Sequence, residues 1–557
     1  MKKIISVLLA LCIIFVSTPF ALAYYTEPTV TCDDPVIYIG GDSDRIYYNN
    51  DTQSFRIDDI FGLAEGAEDN KVTEAAFNIL KPFILEGIAF GKWDNYYAAV
   101  EKEIGEMFEP IMLDKNGNVP EDSDSGIGKE ATAANQWAMT HNLADGNGKY
   151  SEKAYKFNYD WRLDPIELAD NLHEYIEAVK TATGHSKVSI DCKCLGTNVV
   201  LAYIQKYGTG SLKGVGIDVA TSNGADFLSG ILSGDFGIDG NSVVRLISDI
   251  EVFEDDFSVS PIVTSTIELL ANTGVLDTLS AVARKTIYDK IEYGIISALA
   301  TSTFLTMPCY WALVSTEDFD DALVYVFGEE GSKKREEYAG LIDKITVYNE
   351  TIKKNVDDIL LSLKEPASDG KTVNLCIISK YGTQMVPMLK DGSILGDQYV
   401  SAKNSSFGAT TSTVYDTLSD EYIAQREAAG FGKYISPDKQ IDASTCLFPD
   451  YTWFIKGCSH GFYSTQERDL ILSVIDADRQ LEIGDFEWTQ FIVFDYENQT
   501  FEPMTEDNCH NENWEADKDI EKPQSKSQRL RSLILSLIKW LKSIFVALTK
   551  SFGTGAK

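Results

Sequence analysis

Histidine is the scarcest reactive side chain here, with five among 557 residues. Acid–base chemistry near neutral pH therefore has few places to sit. Cysteine is also thin, nine residues scattered along the whole length, which excludes a small disulfide-stapled scaffold. Positive charge is in deficit, 49 basic against 85 acidic residues for a formal charge of -36. A phosphate backbone would be repelled by such a surface, so a nucleic-acid partner is excluded. Lys539 and Lys542 interrupt the C-terminal apolar run, which is therefore not expected to span a bilayer. No repeat of solenoid period is present. No metal or organic cofactor is indicated.

What is present begins with a leader-like N-terminus. Lys2 and Lys3 precede an apolar run over 4–16, and Ala21-Leu22-Ala23 has the A-x-A form of a cleavage site. Residues 1–23 read as a signal peptide and the protein as exported, extracellular or at the cell surface. A membrane anchor is the competing reading, disfavoured by the short run. At the other end an acidic stretch flips sign, and no acid follows Glu521. Residues 501–528 read as a linker. Over 529–552, Leu533, Leu537, Trp540, Leu541, Ile544 and Leu548 recur at helical spacing with Lys539 and Lys542 among them. This predicts a basic amphipathic helix whose Trp540, Lys539 and Lys542 contact an anionic membrane surface. The alternative is a helix docked on the protein's own acidic surface.

Between the ends, hydrophobic content of 44% suits a folded protein. Apolar runs at 35–39, 187–191 and 214–220 read as strands, and 76–110, 165–182 and 195–207 as helices. From 222 to 366 the periodicity is helical. Strand character returns at 372–379, 451–455 and 488–494. The pattern predicts an α/β fold with a mostly parallel, doubly wound sheet: a core over 24–221 and 367–500, interrupted by a helical cap at 222–366. Within it, 262–270 and 286–298 would form an apolar ceiling over the site, or simply pack on the core.

The chemistry centres on Ile190-Asp191-Cys192-Lys193-Cys194-Leu195-Gly196. A strand running directly into a helix, with a nucleophilic side chain at the turn, is the pattern of a nucleophile elbow. Cys194 holds the nucleophile position. Gly196 keeps the small residue two places after it, while Cys192 stands where glycine is usual two places before. A helix N-terminus and a nearby imidazole lower a thiol's pKa. The Leu195 N–H would supply one oxyanion donor, and the Gly40-Gly41 turn after the first strand the other. Two further readings stand beside this one: a thiol packing as a small hydrophobe, or a Cys-x-Cys metal or redox site, for which two thiols without a nearby histidine are a poor ligand set.

Downstream, Gly396-Asp397-Gln398 and Gly457-Cys458-Ser459-His460-Gly461 each follow a strand signal. The chain order nucleophile, acid, histidine is that of α/β-hydrolases. Among the five histidines, His460 alone lies in a glycine-flanked loop after a late strand. His173 and His185 read as helix-surface and turn residues, and His141 and His510 as loop residues. Asp391 rivals Asp397 as the acid. Cys446 and Cys458 could pair in an oxidising compartment.

Residues 157–163, FNYDWRL, resemble the F-x-YDWR segment of the lecithin:cholesterol acyltransferase-like family, placed one helix before the elbow as in that family. PVIYIGGDS is similar to its oxyanion turn without the proline. GDQYVS, KGCSHG and MPCYWAL (307–313) resemble its acid turn, histidine loop and a stretch near the end of its cap. The likeness runs in islands over 34–465. It implies an acyl-ester enzyme with a helical lid, acting on lipid by hydrolysis or O-acyl transfer. The departures are Cys194 for serine, Cys192 for glycine and Gln398 for the glycine of the acid turn. A cysteine elbow is also similar to those of dienelactone hydrolases and polyhydroxyalkanoate synthases.

Two functions therefore compete. One is a lipid-active acyl enzyme working through an acyl-Cys194 intermediate, with His460 and Asp397 as partners and an acyl lipid or ester as substrate. The other is an inactive α/β-hydrolase-fold protein that binds lipid or a surface.

Overall fold

The computed structural model describes residues 32–41, 91–108, 112–120, 155–236 and most of 294–509, with short pieces between 29 and 86. The signal-like N-terminus, the span 237–293 and everything after Cys509 lie outside the described residues. So do the expected membrane-contact residues Lys539, Trp540 and Lys542, along with the ceiling segment 262–270 and most of 286–298.

Seven strands build one sheet: β1 (Val36–Ile39), β2 (Val188–Lys193), β3 (Leu212–Asp218), β4 (Asn374–Tyr381), β5 (Thr452–Lys456), β6 (Phe491–Asp495) and β7 (Thr500–Pro503). Their spatial order is their chain order. β1 to β6 run parallel, and β7 folds back antiparallel on β6. Parallel strands are covered on both faces, so they read as continuous apolar runs. β2 and β4 accordingly have every residue buried. Successive side chains alternate between two cores. Ile37, Ile39, Ile190, Val215 and Ile377 face one of them, and Val36, Tyr38, Cys376, Ile378 and Ile455 the other.

The first core is closed by α1 (Pro165–Thr183) and α2 (Gly196–Tyr207). The sequence signals both ends of α1. The Asp164 carboxylate caps the start by accepting from Ile166 N–H, proline takes the first turn, and left-handed Gly184 ends it. The second core is closed by α7 (Thr465–Ile475), whose Leu470, Ile471, Leu472, Val474 and Ile475 are buried. Each such side chain contributes roughly 1.5–3 kcal/mol of gross burial energy. α7 crosses so close to β3 that a Cβ at Gly214 would collide with the Ile475 backbone, and one at Gly216 with the Ile471 side chain. Glycine at these strand positions is a packing requirement.

Between β3 and β4 the described elements are helical, among them α3 (Asp226–Ser233), α4 (Phe319–Phe327), α5 (Ala339–Thr351) and α6 (Val356–Ser362). α3 packs on α4, while α6 packs on α2. α5 reaches α2 through Tyr348, whose hydroxyl donates to Asn198 Oδ1 at 3.0 Å. The last part of the expected cap thus lies against the helix that follows the elbow.

Several boundaries differ from the sequence reading. β3 begins and ends two residues early, because Val219 turns out of the sheet at φ 46. The helix expected over 76–110 is continuous over Asp94–Phe108. The linker expected from 501 begins inside β7: Phe501 packs edge-on to Phe494 at 5.5 Å, and the chain stays in the fold through buried Cys509. Cys446 and Cys458, expected as a possible pair, lie in different packing clusters. A small unit between β4 and β5, with a two-stranded ribbon at Thr410–Thr411 and Ile441–Asp442, carries no strong periodicity in the sequence.

Candidate active site

β2 ends at Lys193, and α2 starts at Gly196. Cys194 lies in the two-residue turn between them at φ 51, a left-handed conformation that costs energy for any residue with a Cβ. The turn is held on both sides. Cys194 N–H donates to Asp218 O at the end of β3, and Cys194 O accepts from Thr197 N–H, both at 3.0 Å. Gly196 is required here: a Cβ would lie 2.5 Å from Ile39 O and 2.8 Å from Gly40 O. Its absence lets the end of β1 lie against the elbow. Cys192 is fully buried between Ile39 and Ile217, and its thiol donates to Gly216 O at 3.2 Å. Burial pushes that thiol well above its ordinary pKa. Cys192 packs; Cys194, half-buried, is the thiol with access.

The Gly40-Gly41 turn faces the elbow. A Cβ built on Gly41 would sit 3.1 Å from Cys194 Cβ, 3.3 Å from Sγ and 3.8 Å from Leu195 N. Among the described residues neither Gly41 N–H nor Leu195 N–H has a protein acceptor. The Tyr159 hydroxyl donates to Gly40 O at 2.7 Å and pins the turn from behind. Tyr159 arrives there because Tyr155–Phe157 runs along the outer edge of β1, exchanging Tyr38 N–H to Tyr155 O and Phe157 N–H to Tyr38 O bonds at 3.0 Å each. Two residues on, Arg162 and Asp160 form a fully buried two-pronged ion pair, 2.9 Å from Nε and 2.7 Å from Nη2. The role of Tyr159 was visible in the sequence as part of a motif, without its partner.

His460 and Asp397 come together from loops after β5 and β4. His460 Nδ1 lies 2.8 Å from Asp397 Oδ2, and His460 N–H donates to Asp397 O at 2.9 Å. Asp397 Oδ1 accepts from the N–H groups of Tyr399 at 3.2 Å and Val400 at 3.0 Å. The carboxylate is thus bonded at both oxygens and wholly buried. The turn forces Gln398 to φ 98, where the related motif has glycine. Tyr399 stands edge-on to the imidazole at 5.5 Å. The Cys194 sulfur acts on the charge of the same ring. Burial works against a charged imidazole, but the Asp397 carboxylate and the Cys194 sulfur outweigh it and raise the His460 pKa to about 10.

The rival residues are engaged elsewhere. Asp391 accepts from Ser393 in an exposed turn. His173 stacks on Tyr207 with ring centroids 3.9 Å apart, and His185 Nδ1 lies 3.1 Å from Asp34. His141 and His510 lie outside the described residues. Among the described residues no three His, Cys, Asp or Glu side chains gather as metal ligands, and no helix is long and apolar enough to cross a membrane.

The described fold is mixed α/β, with a largely parallel seven-stranded sheet; loops at its strand ends join an imidazole to a carboxylate, and the Cys194 sulfur acts on the charge of that imidazole. No protein-family model matches the chain, and no curated protein does. Among solved structures it is similar to a chain in "The crystal structure of Tle4-Tli4 complex", at 13% identity over 62% of this chain and 74% of that one, with a TM-score of 0.23. A likeness at that score carries no argument.

Proposed function

We propose that this protein is an α/β-hydrolase-type acyl enzyme that uses Cys194 as nucleophile on lipid-like esters. The observation that carries this reading is the hydrogen-bonded Asp397–His460 pair together with the left-handed Cys194 turn, whose sulfur faces Gly41. The reacting form in this cycle is a Cys194 thiolate beside protonated His460, which keeps its proton near neutral pH because Asp397 and the sulfur outweigh burial. Sγ attacks the ester carbonyl carbon, and the negative charge moves to the carbonyl oxygen. The N–H groups of Leu195 and Gly41 receive that oxyanion. When it collapses, the C–O bond to the alcohol breaks, and His460 gives its proton to the departing alkoxide. The acyl group now sits on Cys194 as a thioester. Water or a second alcohol then loses a proton to neutral His460, attacks the thioester and regenerates the pair, giving hydrolysis or O-acyl transfer respectively. Asp397 keeps the imidazole in one orientation throughout.

The lipid assignment draws on the YDWR-type segment, the helical insertion and the basic amphipathic tail, which suits an anionic membrane surface, and on the leader, which fits an exported enzyme. The test is intact mass after incubation with p-nitrophenyl acyl esters of increasing chain length, with and without phospholipid vesicles. An acyl adduct that disappears in Cys194→Ala is expected. No adduct and no turnover, with vesicles still bound, would leave a non-catalytic lipid-binding protein.

A further inference from the structure

Six charged side chains lie buried directly behind the elbow, on the face of the sheet opposite α2. They are Asp191 and Lys193 on β2, Asp218 on β3, Lys380 on β4, and Glu467 and Arg468 at the start of α7. Lys193 is 5% exposed and the rest not at all. Asp218 Oδ2 is 3.1 Å from both Lys193 Nζ and Lys380 Nζ. Lys380 Nζ is also 2.8 Å from Glu467 Oε1. Tyr463 donates to the Asp191 carboxylate, 2.8 Å from each oxygen, with Lys193 and Arg468 against its ring.

Three acids balance three bases, yet burying such a set is expensive, and apolar residues of equal volume are often as stable. The lysines do something apolar residues cannot. Lys193 Nζ donates to Phe462 O at 3.0 Å and reaches Gly461 O at 3.5 Å, and Lys380 Nζ donates to Phe462 O at 2.5 Å. These carbonyls belong to the two residues after His460. Lys193 is also the residue immediately before Cys194. Asp218 joins the two halves, since its backbone oxygen holds Cys194 N–H while its carboxylate gathers both ammonium groups.

We propose that Lys193 and Lys380 are positioning residues: gathered by Asp218 and Glu467, they grip the Gly461 and Phe462 carbonyls and fix the loop that sets His460 against Cys194. The inference rests on the thiol–imidazole pair of the proposed function and adds residues that the elbow, acid and histidine motifs do not contain. Burial opposes the charge on both lysines: at Lys380, Asp218 and Glu467 outweigh it and hold the ammonium pKa above the ordinary value, while at Lys193 burial wins and lowers it, and burial also raises Glu467 to about 8. Burial also opposes the Asp218 charge, and the two lysines hold that carboxyl below its ordinary value. A displacement of about 1 Å at a reacting group costs up to ~100-fold in rate, so a loop anchor has leverage.

The test is the pH profile of Cys194 alkylation by iodoacetamide on the full chain, located by mass spectrometry, with thermal stability measured in parallel. Lys193→Met and Lys380→Met should slow alkylation at pH 7 by about 10- to 100-fold and move the profile toward that of an unpaired thiol. Their ester turnover should fall in kcat more than in KM. Lys213→Met is the control: Lys213 bridges Asp34 and Asp476 at the opposite end of β3. It should lower stability and leave the profile in place. Should the Met variants not fold, Lys380→Arg keeps the charge and displaces the contact, and it should still shift the profile. A wild-type profile in the Lys193 and Lys380 variants would overturn the inference. If His460→Ala leaves wild-type alkylation unchanged, it is instead the thiol–imidazole reading that falls.

Discussion

Gly41 and Cys194 approach so closely that a methyl group on the glycine would stand 3.3 Å from the sulfur. The backbone of Gly41 is not in a left-handed conformation, so alanine fits the chain there and only the space is contested. In the proposed cycle the contested space is where the oxygen of an attacked carbonyl would sit. Gly41→Ala should leave the unfolding midpoint near wild type and cut ester turnover by about 100-fold, the scale of a lost oxyanion donor. Steady-state kinetics with a short p-nitrophenyl ester would show it. Undiminished turnover would place the oxyanion elsewhere.

Tyr159 reaches the same turn from behind. Removing its hydroxyl in Tyr159→Phe leaves Gly40 O without that donor in a buried place, a loss of about 1–3 kcal/mol. The thiol and imidazole do not touch this hydroxyl in the described contacts. Turnover should therefore fall severalfold while Cys194 alkylation at pH 7 keeps its wild-type rate. Equal losses in both would mean that Tyr159 supports the whole elbow, with no selectivity for the oxyanion side.

The Asp397–His460 pair makes a signed statement about stability and pH. The His460 pKa rises from 6.5 to about 10 on folding, with burial opposing the rise and Asp397 and Cys194 driving it. A group whose pKa is raised in the folded state stabilises fully below its unfolded value and loses that contribution as pH climbs through the folded one. The stability gap between wild type and His460→Ala should thus be widest near pH 6 and shrink toward pH 10. Urea midpoints at pH 6, 8 and 10 would check this. A gap that widened with pH would mean that His460 is buried neutral.

The sequence exposes some of this architecture and hides the rest, for physical reasons. α1 was legible at both ends because Asp164, Pro165 and Gly184 are local signals. The elbow was legible because a strand, a nucleophile and Gly196 stand in a fixed short spacing. The pairing of His460 with Asp397 spans 63 residues, and chain order, the strand signals before each loop and the likeness of the two loops to an acid turn and a histidine loop suggested it. What distance hides is the ion cluster behind the sheet. Lys193 and Lys380 look like ordinary strand-end lysines until β2, β3, β4 and α7 bring their partners in. The available hint was a charged residue inside a mostly apolar strand run, as in Ile377-Ile378-Ser379-Lys380-Tyr381. The small unit between β4 and β5 was hidden differently. Its ribbon strands are two residues each, too short for any periodicity to register.

In the proposed cycle a cysteine at the elbow suits the charge state of His460. A serine hydroxyl needs a neutral imidazole to take its proton. His460, held by a carboxylate bonded at both oxygens and buried with it, carries its proton well above neutral pH. A thiol tolerates this, because the proton it loses is the one the imidazolium holds. Cys194→Ser removes the sulfur's share of the shift but leaves the share from Asp397. The serine variant should fold, with a somewhat lower midpoint below pH 10 for the lost share of the shift, and lose about 100-fold or more in ester turnover at pH 7, the contribution of a working general base. Its rate should then climb with pH as the imidazole deprotonates, while the wild-type rate stays comparatively flat over the same range. Turnover by Cys194→Ser that matched the wild type at pH 7 would show that the imidazole is neutral, and that the pair works as a serine-type base after all.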